Sequence, residues 1–73
     1  MVYEIWDLES GNRLGEYDSR AAALAELRDA LAHHGEEYVA TLLLDAEDEA
    51  GHTELVAKGP ALVALAKTDP AAA

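Results

Sequence analysis

The sequence contains no cysteine, so neither a disulfide framework nor a thiolate metal site can be built from it. That fits a reducing compartment, and a cytoplasmic location is expected. Phenylalanine is also absent, and one tryptophan and three tyrosines are the whole aromatic complement. Basic residues are scarce: five Lys and Arg stand against fifteen Asp and Glu, a net charge of −10. Phosphate backbones and anionic lipid repel such a chain, which argues against direct binding to nucleic acid or a membrane. No apolar run approaches the ~20 residues of a transmembrane helix. No basic segment leads into an apolar one as in a signal peptide.

What is present is alanine and leucine. The hydrophobic fraction is 51%, but 16 of these residues are Ala, and Val, Ile and Leu together number 16. Seventy-three residues make one small domain. A core this size stabilises a fold by only a few kcal/mol net, so association with another chain is a reasonable expectation.

The stretch DSRAAALAELRDALAHHG, residues 18–35, organises the rest. At 100° per residue, Ala23, Leu27, Ala30, Leu31 and His34 fall on the side of Leu24. Ala22, Glu26, Asp29 and His33 fall opposite. This is an amphipathic helix with a narrow apolar stripe, built from good helix formers. Asp18 or Ser19 can cap its start, and Gly35 can end it. About four turns long, it is too short to persist alone and must bury its leucines.

The elements around it read as strands. VYEIWDL (2–8) and RLGEY (13–17) flank the turn Ser10-Gly11-Asn12 and form a hairpin. Gly15 marks a bulge or a close backbone approach, and a bulge would bring Leu14 and Tyr17 to the same side. YVATLLL (38–44) is a third strand, Asp45 to Gly51 an acidic loop, and HTELVAK (52–58) a fourth strand. After Gly59, Pro60 suits the first turn of a short helix over residues 60–67. The expected fold is α+β, with topology β-β-α-β-β-α, over residues 1–68, and a disordered tail over 69–73. A helix between strands two and three places strand three beside strand one, giving an antiparallel sheet in the order 2-1-3-4. Order 1-2-3-4 is the alternative.

One helix covers one sheet face. Strand one carries Tyr3 and Ile5 on one alternation and Val2, Trp6 and Leu8 on the other. Strand three carries Tyr38, Leu42 and Leu44 on one and Val39 and Leu43 on the other. A sheet with one wet face alternates cleanly, so a second face here needs cover. Candidates are the C-terminal helix through Leu62, Val63 and Leu65, a second copy, or another protein. The candidate interaction surface is Trp6, Leu8, Tyr38, Leu42, Leu44, Leu62 and Leu65. A candidate acidic patch is Asp45, Glu47, Asp48 and Glu49, whose crowding should raise some of their pKa values.

YEIWDLESGNRLGEY resembles one strand-turn-strand piece of a WD40 propeller blade. A propeller repeats at ~40 residues, whereas a helix follows here, so the likeness implies a hairpin and no more. The hairpin and its Glu-, Ala- and Leu-rich helix are similar to HicB-type antitoxin domains. Those carry a Pro-Gly-Cys-like segment where this chain has Gly15-Glu16-Tyr17-Asp18. GEYDSRAAALAELRDAL resembles peptidoglycan-binding SPOR repeats, which implies export, yet no export signal precedes it. The whole pattern most resembles short bacterial ββαββ domains of unknown function, a likeness of shape.

Chemistry-bearing patterns are few. His33 and His34 point about 100° apart on a helix, so they cannot share an ion without His52 or carboxylates. From Asp45, an EF-hand would need Gly at position six and Glu at position twelve, where Ala50 and Val56 stand. No nucleophile stands in a triad context, and no glycine-rich phosphate loop exists. No catalytic, cofactor-binding or metal-binding residue is expected, and no cofactor. The expectation is a non-enzymatic interaction module that forms a homodimer through a sheet face or binds another protein there. The alternative is an acidic inhibitor or antitoxin-like protein that neutralises a basic partner.

Overall fold

In a computed structural model of the chain, residues 1–68 are described; the tail expected over 69–73 lies outside the described residues. The hairpin joins β1 (Val2–Asp7) to β2 (Arg13–Tyr17). Asp7 builds its turn. Its carboxylate accepts from the Glu9 backbone N–H at 2.9 Å and the Ser10 hydroxyl at 3.0 Å, and its carbonyl accepts from Gly11 N–H at 2.8 Å. Gly11 has φ 75°, a conformation that suits glycine. The Trp-Asp pair therefore serves the hairpin itself. Ile5 lies opposite Gly15 and Trp6 opposite Arg13, so Leu14 is the extra residue of a bulge. Tyr17 lies across Gly15, where a Cβ would come within 2.8 Å of the ring's Cζ.

Helix α1 (Arg20–His34) starts where the Ser19 hydroxyl accepts from Ala22 N–H at 3.1 Å. It stops at Gly35, φ 85°, whose N–H donates to the Leu31 carbonyl. Its stripe is as expected: Ala23, Leu24 and Leu27 are buried, and Ala30 and Leu31 pack on the core. His34 is the exception. It is exposed and lies against the Tyr38 ring, with centroids 5.0 Å apart.

The first half of the segment expected as strand three is helical. Positive φ at Gly35 restarts the chain as α2 (Glu36–Val39), one turn with Glu36 and Glu37 at its N-terminus. Val39 drops into the core, and Ala40 N–H donates to the Glu36 carbonyl. Strand β3 then runs Leu42–Glu47, three residues further than expected. Leu42, Leu44 and Ala46 are buried while Leu43, Asp45 and Glu47 are only partly so. The loop to β4 (Thr53–Lys58) shortens to Asp48–His52, and α3 (Pro60–Thr68) follows Gly59 directly.

The sheet is antiparallel in the order β2-β1-β3-β4. Both long helices lie on one side of it. Leu62, Val63 and Ala66 of α3 join Leu24 and Leu27 of α1, with Ile5, Leu42, Leu44 and Ala57 of the sheet, in one hydrophobic cluster. Helix α1 contacts β1 and β2, and α3 contacts β3 and β4. The Arg28 guanidinium, from α1, donates to the Ala66 carbonyl of α3 at 3.2 Å. The shortest extent of the molecule is 17 Å, room for one sheet and one helical layer but not a third.

Candidate interaction face

Because α1 and α3 share a side, the other face of the sheet has no cover among the described residues. Strand pairing defines what it displays. One cross-strand row reads Arg13, Trp6, Leu43, Lys58 and the next reads Glu16, Glu4, Asp45, Leu55. Val2 and Glu47 stand opposite each other beyond them. Leu55 is 51% exposed and Leu8, just past β1, 49%. A hollow of about 290 Å³ beside the indole is lined by Trp6, Asp7, Leu8, Gly11, Leu43 and Asp45.

The charges are locally organised. Glu4, only 6% exposed, receives the Arg13 guanidinium at 2.9 Å, and the same Nη1 reaches Glu16 at 3.0 Å. Arg13 is held protonated above its ordinary pKa, chiefly by the hydrogen bond to Glu4 and then by Glu16. Asp45 stands next to Glu4 across the strands. Burial is the main cause pushing its carboxyl up, followed by repulsion from Glu4 and a hydrogen bond to it that requires a proton. The Trp6 indole favours the charged form, yet Trp6 Nε1 and Asp45 Oδ1 are both enclosed without completing a hydrogen bond. Asp48 moves the other way. Its carboxylate accepts from the backbone N–H groups of His52 and Ala50, each at 2.9 Å, which lowers its pKa.

These opposite shifts separate the acidic run into parts. Asp45 and Glu47 belong to the open face, Asp48 builds the β3–β4 loop, and Glu49 is exposed within that loop. A pH dependence follows. The raised Asp45 pKa means that the folded state loses stability as pH climbs from the unfolded value of 3.8 through the folded one. Asp48 contributes the reverse: its stabilisation is present above its unfolded pKa and fades as pH falls. Asp45→Asn should therefore raise the melting temperature at about pH 7 in low salt, and the gain should vanish by about pH 3.5. Circular dichroism melts at the two pH values check this; an equal shift at both would mean that charge at Asp45 is not the cause.

The residues expected to form an interaction surface divide between the two sides of the molecule. Trp6 and Leu8 meet at the open face. Leu42, Leu44 and Leu62, expected there, are instead 2%, 0% and 0% exposed beneath α1 and α3 and form no part of the open face. The parity of β3 explains this: Leu42 and Leu44 pair with Asp7 and Ile5, on the helix side. Tyr38 is on α2, and Leu65 packs against the core from α3. Leu43 and Leu55 are the missed members. Leu43 alternates with Asp45 and Glu47, and those two charges were the signal that its parity faces water.

The histidines act locally. His33 Nδ1 donates to the Asp29 carbonyl at 2.9 Å, and His52 Nδ1 lies 3.3 Å from an Asp48 carboxylate oxygen. Among the described residues no three His, Cys, Asp or Glu side chains gather as a cation site, and no helix is long and apolar enough to cross a membrane. Compared with known proteins, the chain matches no family model, no curated protein and no solved structure.

Proposed function

We propose that this chain is a non-enzymatic interaction module of the cytosol, and that it works by pairing the open sheet face with a second copy of itself. The observation that carries the reading is the one-sided placement of α1 and α3: among the described residues no element covers the face that holds the half-buried Trp6 and Leu43 and the exposed Leu55 and Leu8. A soluble monomer rarely leaves such a set open. Charge order supports a particular two-fold arrangement. An axis running across the strands between the two rows lays each row on the other row of the copy. Arg13 then faces Glu16 of the copy, Trp6 faces Glu4, Leu43 faces Asp45, and the Lys58 stem lies over Leu55. An axis along the strands would instead set Glu4 against Asp45. The face spans roughly 20 by 20 Å, about 800 Å² over two copies, the size of weak and transient interfaces, so a dimer of tens of micromolar affinity is expected.

Light scattering at tens of micromolar in moderate salt tests this. The expected result is a mass that rises toward two chains with concentration, and Leu43→Arg should weaken association by about tenfold or more while leaving the far-ultraviolet spectrum unchanged. A mass of one chain at every concentration would overturn self-association. A second reading has its own support: the row Glu16, Glu4, Asp45, with Glu47 beyond, is an acidic stripe suited to a basic partner protein. The two differ in salt response. Apolar pairing resists salt, whereas an acidic stripe loses its partner steeply.

A further inference from the structure

On the helix side, away from the open face, α1 does not close fully over the end of β2. A cleft of about 170 Å³ remains, lined by Ile5, Leu14, Tyr17, Glu26, Leu27, Ala30, Tyr38 and Leu42. Its composition is specific. Ile5, Leu27 and Leu42 form a buried apolar floor, with the small side chain of Ala30 beside them. The polar groups are one carboxylate, Glu26, and the phenols of Tyr17 and Tyr38. Of the residues lining it, Glu26 is the one carboxylate, and none is Lys, Arg or His.

We propose that this cleft binds a small primary ammonium compound with an apolar body, the body on the Ile5–Leu27–Leu42 floor and the ammonium group toward Glu26 and the two phenol oxygens. An apolar cavity with a few convergent polar groups is the usual form of a small-molecule site. An ammonium group offers three donors and no acceptor, which matches a carboxylate and two phenols. Tyrosine rings add attraction for a cation. A carboxylate ligand would meet the negative charge of Glu26 with no compensating cation in the lining. The Tyr17 phenol records the same environment, being raised by burial first and by the Glu26 charge second. The bulge at Leu14 and the missing side chain at Gly15 position this wall, because Tyr17 lies over Gly15. The inference is independent of the open face, which lies on the opposite side of the sheet.

Three isosteric probes, benzylammonium, benzyl alcohol and benzoate, separate charge from shape. Titrated into the intact chain in moderate salt and followed by amide chemical shifts, benzylammonium should perturb Tyr17, Leu27, Ala30 and Tyr38 saturably. It should bind about tenfold more tightly than benzyl alcohol, with benzoate weakest. Glu26 is exposed and lies outside the hydrophobic cluster, so Glu26→Gln leaves the fold intact. That variant should bring benzylammonium to within about twofold of the alcohol, whereas Glu54→Gln, on β4 at the far edge of the sheet, should change little. Equal binding of the ammonium and the alcohol would overturn the proposal, as would shifts that map to the Glu4–Asp45 row or show no saturation.

Discussion

Leu44→Ala is expected to destabilise the fold by about 2–5 kcal/mol, and the same change at the adjacent Leu43 by about 1 kcal/mol or less. The two residues differ by one position and therefore by one sheet face. Leu44 is fully buried between Ile5 and Ala57 on neighbouring strands, beneath the helical layer. Alanine there loses the transfer energy of the removed methyl groups and leaves a cavity that a packed layer cannot collapse into. Leu43 sits between Trp6 and Lys58 on the uncovered side, where water replaces what is lost. A chain this size holds only about 3–5 kcal/mol in total, so Leu44→Ala should leave a visibly marginal protein. Urea denaturation at low protein concentration, where association does not contribute, gives both values. A larger loss at Leu43 would reverse the assignment of the two faces.

The same pair marks where the sequence is readable and where it is not. Helix α1 is legible because its signals are local: a 3.6-residue stripe, a serine that caps and a glycine that ends it. The hairpin is legible for the same reason, through Ser10-Gly11-Asn12 and the bulge beside Gly15, which brings Leu14 and Tyr17 into one cleft. The strand order follows from a helix that must cross between strands two and three. YVATLLL carries no such signal. Its apolar run satisfies helix and strand alike, and the decision is made by Gly35 and by the burial of Val39, both dependent on the rest of the fold. Once β3 is moved to 42–47, its alternation becomes clean, and the open face rests on Trp6, Leu43 and Leu55 rather than on Leu42 and Leu44. Trp6 and Leu8 were legible as surface candidates because they share one alternation of β1. Leu62 was not, because nothing local in residues 60–67 says which side of the sheet the helix takes.

That side determines the effect of removing the helix. Deleting residues 60–73 is expected to unfold or aggregate the protein whether or not it dimerises. Had α3 covered the face opposite α1, a dimer could have substituted for it, and the deletion would have been mild. Instead Leu62 and Ala66 are fully buried and Val63 nearly so, all three in the cluster that contains Leu24 and Leu27. Burying side chains of the size of Leu62 and Val63 contributes about 1.5–3 kcal/mol each, comparable together with the stability of the whole domain. The loss extends further, because α3 also covers β3 and β4 and supplies the Ala66 carbonyl to Arg28 and the Lys67 ammonium to Glu36, 2.6 Å away. A second copy seated on the open face touches none of these groups. Circular dichroism and urea titration of the truncated chain, at concentrations below and above the dimer range, provide the measurement. A truncated chain that keeps a cooperative transition at high concentration would place the dimer on the α3 side and overturn the open-face assignment. Loss of the transition at both concentrations, with Leu43→Arg in the full chain folded but monomeric, would separate the two sides of the sheet into one that holds the fold and one that meets the partner.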